Sequence, residues 1–406
     1  IMKNGTVKGG GMYYLRDGLR ERGLAPLGTV LALLFGLFVI GGAFGAGNMY
    51  QANQAYSQLA TTFPSLDGEE AKVYFGIVMA VLVGLVIIGG IVWIARVTAF
   101  LVPFMCGTYV IAALVIIFGN IGEVPGALGT IFTSAFSNEA VTGGIIGTLI
   151  QGIRRAAFSN EAGLGSAPIA HSAVKTKEPA SEGFVALLEP FVDTVVVCTM
   201  TALVLVITGT WRVSAEVNPG GAKIVAAPGS SEVIREATAG QFLHTRKSDG
   251  DHIEVIALVN GAFEDAEEVE GWVSANEVTS RAGVPVTSMA FASVISWFPL
   301  LLSMAVFLFA FSTMISWSYY GQQGVMYLFS FVGDDKIHLP VIAYKIIFCL
   351  LIIVGTSSSL GNILTLSDAM IFAMVIPNLI GLYLLLPVIR RETERFLTLV
   401  KETDRA

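Results

Sequence analysis

The sequence has few charged residues. Of its 406 residues only 14% are Asp, Glu, Lys or Arg, whereas soluble domains carry roughly a quarter. This scarcity excludes an ordinary soluble domain. The sequence also lacks the motifs of a phosphate-binding loop, a dinucleotide-binding turn or a nucleophile–base pair, so it does not support an enzyme. Because the net charge is −7, we expect no nucleic-acid partner.

Cysteine is also scarce. The three cysteines, Cys106, Cys198 and Cys349, all lie in apolar runs, where cysteine usually packs as a small hydrophobic side chain. Their number and spacing indicate neither a disulfide framework nor a metal cluster. We therefore expect no cofactor, and nothing in the sequence implies an obligate protein partner.

Hydrophobic residues are abundant. They form 54% of the chain and come in runs near the roughly 20 residues that a helix needs to cross a bilayer. Lipid offers no partners to a bare backbone, so each span should be helical. The pattern predicts an all-α polytopic membrane protein with eight spans, near 27–57, 72–95, 98–119, 154–175, 181–209, 285–330, 338–357 and 363–389.

The distribution of Lys and Arg predicts the orientation. With both visible termini in the cytoplasm, fifteen Lys or Arg residues of the termini and short loops fall on or near that side and three fall on the other, as cytoplasmic loops require. We expect a multi-pass protein of the cell (inner or plasma) membrane. The predicted segments are a cytoplasmic segment 1–26, a first transmembrane part 27–209, an extracytoplasmic insertion 210–286, a second transmembrane part 287–389 and a cytoplasmic tail 390–406.

Two segments of this scheme, the N-terminal segment and the insertion, are irregular. The chain begins with Ile1 and a polar stretch without the order of a signal peptide, so we expect it to be N-terminally truncated. The insertion 210–286 holds twelve acidic and six basic residues. Within it QFLHT, RKSDGD and HIEVIALV predict a β-hairpin with a Ser-Asp-Gly turn, so the insertion should contain strands.

The first polar interruption of an apolar run is GGAFGAGNMYQANQAY, residues 41–56. Its four glycines permit close helix approach. Asn48 and Gln51 lie three residues apart and share a helix face. Their amides would either join neighbouring helices or contact a ligand, and the spacing alone does not separate these alternatives.

The second interruption is RRAAFSNEAGLGSAPIAHSAV, residues 154–174. Polar residues clustered with glycines and Pro168 predict a discontinuous helix, whose freed amides and carbonyls bind ligands and ions in transporters. Asn160 and Glu161 are the polar residues of this stretch. The alternative is a loop between two short surface helices.

The third interruption is FLFAFSTMISWSYYGQQG, residues 307–324. The adjacent hydroxyls of Ser312 and Thr313, with a backbone carbonyl, would form a hard oxygen site suited to Na⁺. Trp317 lies on the same face as Thr313, where it could form the wall of a pocket. Alternatively, the hydroxyls bond back to their own helix.

Three other acidic residues stand in apolar runs. Glu189 and Asp193 are four residues apart and could form a proton or ion relay, or a packed pair that faces the bundle. Asp368 lies near one end of the last span, where we expect it to cap the helix.

Together these motifs resemble the alanine/glycine:cation symporter family, the sodium:alanine symporters. The stretches that carry the resemblance are GAGNMYQAN, FSNEAGLGSAPIAH, LFAFSTMISWSYYG, YKIIF and IPNLIGLYLLLP. The resemblance implies a leucine-transporter-type fold of two inverted repeats, of which this chain would lack the first two core helices. It also implies symport of small neutral amino acids such as alanine or glycine.

The resemblance further implies the site residues. The substrate would contact Gln51, Phe158, Ser159, Asn160, Glu161, Leu164, Thr313 and Trp317. Na⁺, as the coupling ion, would bind the Phe309 carbonyl with Ser312 and Thr313. The paired hydroxyls favour Na⁺, while Glu161 or Asp193 would permit H⁺ instead.

Two features depart from the family's pattern, and the second of them leaves another function open. The family commonly has a glycine before WSYYG and an acid after it, whereas this chain has Ser316 and Gln322. The insertion 210–286 is also longer than the family's usual connection. A sensor or channel on a transporter-like scaffold would keep the pocket without coupling it to uptake.

Overall fold

The computed structural model describes residues 8–136, 145–212, 215–239, 241–259, 267–280, 283–333 and 335–403. Long helices and one antiparallel sheet make up this part of the chain. Two π-helical segments, Gly45–Met49 and Phe191–Cys198, lie within helical rods. The α-helices are α1 Gly11–Glu21, α2 Ala25–Phe44, α3 Tyr50–Thr62, α4 Glu69–Ile88, α5 Gly90–Gly119, α6 Val124–Ala135, α7 Ile145–Asn160, α8 Ala167–His171, α9 Pro179–Ala186, α10 Thr199–Ile207, α11 Val284–Ala292, α12 Phe298–Leu328, α13 His338–Ser357 and α14 Leu360–Thr403.

Seven helical rods among the described residues are long and apolar enough to cross a bilayer. The chain is therefore a polytopic membrane protein. The predicted span 154–175 is not a continuous helix, because α7 ends at Asn160 and α8 begins only at Ala167. The seven rods are Ala25–Thr62, Glu69–Ile88, Gly90–Gly119, Pro179–Ile207, Phe298–Leu328, His338–Ser357 and Leu360–Thr403.

The boundary between the second and third rods differs from the prediction. The prediction placed it near Arg96, but helix α4 ends at Ile88, and Gly90 has a φ of 68°. A glycine in the left-handed region is a strong helix stop. Arg96 lies within α5, with its guanidinium 5.9 Å from the centre of the Trp93 ring, and its long aliphatic stem lets the charge reach away from apolar surroundings.

Two further boundaries also differ. The predicted span 285–330 is divided into α11 and α12, with Pro299 in the first turn of α12, where proline is tolerated because that amide has no intrahelical partner. The predicted tail 390–406 is helical as far as Thr403. Arg390 and Glu394, one helical turn apart, form an ion pair at 2.8 Å that stabilises this extension of the helix.

Helix α1 is part of the main core although it is too short to cross a membrane. Its side chains Met12, Leu15 and Leu19 are fully buried and belong to the same hydrophobic cluster as Phe35 of α2. A methyl group on Gly28 would lie 2.6 Å from the Leu15 carbonyl, so α1 and α2 approach each other at a glycine. The N-terminal helix is thereby fixed against the bundle.

The stretch between α10 and α11 forms a seven-stranded antiparallel sheet in the order β3-β2-β6-β5-β4-β1-β7. The predicted hairpin is confirmed, with Asp249 opposite His252. Its two-residue turn is Gly250–Asp251, which includes only the last residue of the predicted Ser-Asp-Gly turn, and Gly250 adopts a φ of 59°. The sheet has its own buried cluster, which includes Ile224, Val255 and Val273. The strands are β1 Ala215–Val217, β2 Ala222–Val225, β3 Val233–Ala237, β4 Phe242–Asp249, β5 His252–Val259, β6 Glu267–Ser274 and β7 Val278–Ser280.

Candidate functional site

The predicted discontinuity in the second polar stretch is present. Residues 161–166, the unwound segment, separate α7 from α8. Glu161, Gly163 and Gly165 have φ values of 55°, 82° and 87°, and Pro168 stands in the first turn of α8. Positive φ is uncommon for a non-glycine residue and marks backbone strain, often at functional positions. The unwound segment thus combines a strained acidic residue with two permissive glycines.

The carboxylate of Glu161 has one hydrogen-bond donor from another helix and one from the unwound segment. Its Oε1 accepts a hydrogen bond from the indole Nε1 of Trp317 at 3.2 Å, and its Oε2 accepts one from the Ser166 hydroxyl at 2.6 Å. Leu164 and Ser166 are fully buried beside it. Both hydrogen-bond donors are neutral, so the carboxylate keeps its capacity to attract an ammonium group or a cation.

Two glycines hold Trp317 in place. A methyl group on Gly42 would lie 3.3 Å from the indole, and one on Gly47 would lie 2.3 Å from the Trp317 Cβ. Gly47 belongs to the π-helical segment Gly45–Met49, whose five residues are all buried. Trp317 therefore packs against glycines that were predicted to permit close helix approach, and the same tryptophan donates a hydrogen bond to Glu161.

Ser159 and Asn160 face the rod that contains the second π-helical segment. The Ser159 hydroxyl donates to Asp193 Oδ2 at 2.9 Å, and the Asn160 amide donates to the Thr194 hydroxyl at 2.6 Å. Asn160 Oδ1 also accepts from the amide of Ala162 at 3.1 Å. These two predicted contact residues thus lie at the unwound segment and fix its approach to residues 191–198.

Phe158 and Gln51, two further predicted contacts, have partners outside the unwound segment. The Phe158 ring packs edge-on against Tyr50 at 5.1 Å, and the Arg155 guanidinium lies 5.4 Å from the centre of the Phe158 ring. The Gln51 amide donates to the Ala46 carbonyl of its own rod at 3.1 Å. In this conformation Gln51 donates to a backbone carbonyl of the π-helical segment Gly45–Met49 itself.

The predicted sodium ligands are adjacent on α12. The Ser312 hydroxyl donates to the Phe309 carbonyl at 2.9 Å and lies 3.9 Å from the sulfur of Met105. Thr313 is the next residue and is half-buried. Two hydroxyls and a carbonyl are hard oxygen donors that fit Na⁺, although the Ser312 hydroxyl would have to turn its proton away from the Phe309 carbonyl before both oxygens could face one ion.

The other acidic residues have separate partners. Asp193 accepts from Ser159, as described, whereas Glu189 lies 3.8 Å from Nε2 of His171. Asp368 receives both of its hydrogen bonds from Arg155, at 2.7 and 2.8 Å. The expected helix-capping role of Asp368 is therefore replaced by an ion pair that joins α7 to α14.

Sequence reasoning did not identify Asn378. Its Nδ2 donates to the carbonyl of Gly163 in the unwound segment at 2.7 Å, and its side chain is 1% exposed. The available signal was an amide next to Pro377 within an apolar helix, because a polar side chain at membrane depth is a functional candidate.

Comparison with known proteins places these motifs in a family. The model of the sodium:alanine symporter family matches residues 1–242 and 269–406. The intervening residues 243–268 fall within the strand insertion. All three polar stretches lie in the matched part.

Individual relatives support the match. The chain is 36% identical to the sodium/alanine symporter AgcS of Methanococcus maripaludis over 394 residues, which cover 97% of this chain and 70% of that protein. It is 29% identical to the amino-acid carrier protein AlsT of Bacillus subtilis, over 93% of this chain and 63% of that protein. It is also 29% identical to the sodium/proton-dependent alanine carrier protein of Bacillus sp. PS3, over 77% of this chain and 59% of that protein. The chain therefore belongs to the sodium:alanine symporter family.

Proposed function

We propose that the protein is a secondary active symporter that moves small neutral amino acids, alanine or glycine, across the cell membrane together with Na⁺. The observation that carries this proposal is the unwound segment, in which Glu161 is held at positive φ against Trp317. Broken helices of this kind bind substrates and ions near the midplane of transporters. Membership of a symporter family and the names of the relatives agree with this activity.

The proposed fold is of the leucine-transporter type. In it, the rod of α2 and α3 corresponds to the third core helix, α7 with α8 to the broken sixth, and α12 to the eighth. Both visible termini would then lie in the cytoplasm, and the sheet would lie outside the membrane on the other side. The positions of Lys and Arg support this orientation.

The chemistry of the site suits a small zwitterion. The Glu161 carboxylate and the carbonyls of the unwound segment would receive the ammonium group, and free backbone amides would receive the carboxylate. Leu164 and Trp317 are 0% and 4% exposed, so apolar walls restrict the side chain of the substrate to about methyl size. The polar contacts proposed beside Glu161 come from Gln51, Ser159, Asn160 and Thr313, and Phe158 closes one side.

The proposed sodium site consists of the Phe309 carbonyl and the hydroxyls of Ser312 and Thr313. Proton coupling through Glu161 or Asp193 is the alternative. The name of the carrier from Bacillus sp. PS3 includes both ions. For this chain the adjacent hydroxyls and carbonyl favour Na⁺, because a proton needs no such array of oxygen donors.

Uptake of labelled L-alanine into proteoliposomes tests the function, with and without an inward Na⁺ gradient. The full-length gene product should accumulate alanine only with the gradient. Thr313→Ala should raise the half-saturating Na⁺ concentration at least about tenfold, since it removes an oxygen from a charged ligand. Thr365→Ala is the matched control, because the Thr365 hydroxyl is exposed and donates to the Gly361 carbonyl of its own helix.

The same assay separates the alternatives. Accumulation driven by a pH gradient in the absence of Na⁺ would favour H⁺ coupling. Specific binding of alanine without accumulation under either gradient would contradict symport and favour the amino-acid sensor. Equal sodium dependence in Thr313→Ala and Thr365→Ala would remove Thr313 from the ion site.

A further inference from the structure

The unwound segment is held by a side chain that comes from α14. Asn378 donates through Nδ2 to the Gly163 carbonyl at 2.7 Å, while its Oδ1 accepts a hydrogen bond from the hydroxyl of Tyr14. Tyr14 lies on α1, 364 positions away in the chain. One buried amide therefore connects three separate parts of the molecule: α1, the unwound segment and α14.

The hydroxyl of Tyr14 determines which way the amide points. Burial raises the pKa of Tyr14, so the phenol stays protonated and can donate. A donated proton requires the amide oxygen of Asn378 to face Tyr14, which leaves the NH₂ group for the Gly163 carbonyl. The reversed amide would place two oxygens against each other at Gly163. Tyr14 thus stabilises the only orientation in which Asn378 can support the unwound segment.

The fit around this amide is tight. A methyl group on Gly165 would lie 2.9 Å from Asn378 and 2.7 Å from the Phe35 ring. Phe35 and Asn378 are 0% and 1% exposed. The unwound segment therefore rests directly on these two side chains and cannot shift toward them.

Helix α1 also contacts the helix beyond the unwound segment. A methyl group on Gly10 would lie 2.5 Å from the Ile169 side chain of α8. Beside this contact lies a cavity of about 500 Å³, whose lining includes Tyr14, Pro168 and His171. The backbone of α1 thus holds α8, while the Tyr14 phenol acts through Asn378 on the segment before it.

We propose that Asn378 and Tyr14 are positioning residues that hold the unwound segment in the geometry that presents Glu161 to the substrate. Neither residue needs to contact the substrate. Asn378 fixes the Gly163 carbonyl two residues after Glu161, and Tyr14 fixes Asn378. The effect on transport rests on the proposed symport of alanine, whereas the effect on the backbone does not.

The Tyr14→Phe variant removes one hydroxyl and keeps the ring. We expect hydrogen exchange of the amides in residues 161–166 to become faster by about threefold to tenfold, the range that corresponds to one neutral hydrogen bond. The KM of alanine uptake and the Kd of alanine binding should rise by a similar factor. Asn378→Ala should act in the same direction and more strongly, because it removes both hydrogen bonds.

Tyr13→Phe is the matched control. Tyr13 is the neighbouring residue on α1, and its ring packs edge-on against Tyr327 at 5.4 Å. Exchange in residues 161–166 and the KM should stay at wild-type values in this variant. If Asn378→Ala does not fold, Tyr14→Phe against Tyr13→Phe remains a complete test.

The outcomes are distinct. Unchanged exchange in residues 161–166 of Tyr14→Phe would overturn the inference, whatever the protein transports. A lower melting temperature and lower Vmax at wild-type exchange and KM would show a purely structural role and would also overturn it. A wild-type protein that neither binds nor accumulates alanine would instead contradict the proposed function, and the exchange result would still decide the inference.

Discussion

The chain interrupts its helices in two different ways at the candidate site. In the π-helical segment Gly45–Met49 the rod widens for one turn and α3 follows at once. In the unwound segment 161–166 the helix stops, and three residues take positive φ. Both interruptions are rich in glycine and both contact Trp317. Only the unwound segment frees backbone amides and carbonyls from helical hydrogen bonds.

The partners of the two segments explain the difference. Asn48 in the π-helical segment donates to the Phe348 carbonyl at 2.6 Å and is fully buried, so its role is to join helices. In the unwound segment, Glu161 and the Gly163 carbonyl are held by side chains from other helices. The first interruption permits packing, and the second holds the groups that we propose bind the substrate.

The largest expected effect comes from alanine substitutions at four glycines. Gly163 has a positive φ but room for a methyl group, whereas at Gly47 φ is negative and a methyl group would overlap a neighbouring side chain. Gly165 has both a positive φ and such an overlap, and Gly107 has neither. Placing alanine at positive φ destabilises the fold by about 1–2 kcal/mol, and overpacking destabilises it by about 1–3 kcal/mol. Within a helix, alanine is more stable than glycine by up to about 1 kcal/mol. Thermal unfolding in detergent should therefore show the greatest destabilisation in Gly165→Ala.

The other three variants measure the destabilisation by positive φ and by overpacking separately. Gly163→Ala and Gly47→Ala should be intermediate, and Gly107→Ala should be neutral or slightly stabilising. If Gly163→Ala were no worse than Gly107→Ala, then the positive φ of the unwound segment would carry no energetic cost, and the two interruptions would not differ as described.

The next effects in size come from Glu161→Gln, which should change alanine binding, and from Asn48→Ala, which should change stability. Glu161→Gln keeps acceptors and donors for Trp317 and Ser166 but removes the charge, so the Kd for alanine should rise at least about tenfold, with little change in melting temperature. Asn48→Ala removes a buried hydrogen bond, so the free energy of unfolding should fall by about 1–3 kcal/mol, with the KM unchanged. Binding and melting measurements on both variants check this. A raised KM in Asn48→Ala at wild-type stability would contradict the structural role of the π-helical segment.

The smallest effect concerns the ion pair that joins Arg155 of α7 to Asp368 of α14. Arg155 is 46% exposed and Asp368 is 16% exposed, and partly exposed ion pairs contribute less than about 1 kcal/mol. Arg155→Gln should lower the melting temperature slightly in low salt, and the difference should shrink in 1 M salt as charges are screened. Arg390→Gln, at an exposed pair within one helix, is the control and should show no measurable change. A large, salt-independent loss in Arg155→Gln would mean that Phe158 depends on Arg155 for its packing.

The sequence predicts one of these interruptions and not the other. Glycines and a proline next to polar residues specify the unwound segment, because both residue types disfavour a continuing helix. The π-helical segment has no comparable signature, since its residues are also compatible with an ordinary helix. The same glycines did predict close helix approach, which Gly47 and Trp317 confirm.

Local patterns also leave long-range partners undetermined. The periodicity of α1 and α14 does not indicate that Tyr14 meets Asn378, because that contact depends on the packing of whole helices. The pairing of Glu161 with Trp317 is likewise set by tertiary structure. Ser312 illustrates the opposite case: its bond to the Phe309 carbonyl is local, and it was one of the two alternatives that the sequence had left open.

The pairing of β1 with β7 in the sheet insertion has an evolutionary consequence. These two short strands are hydrogen-bonded neighbours, and they are the first and last strands of the insertion in the chain. The polypeptide therefore enters and leaves the sheet side by side, and a short loop could close the gap if the strands between were excised. Loss or exchange of such a module would leave its two ends adjacent, and the residues outside the family match, 243–268, fall within it.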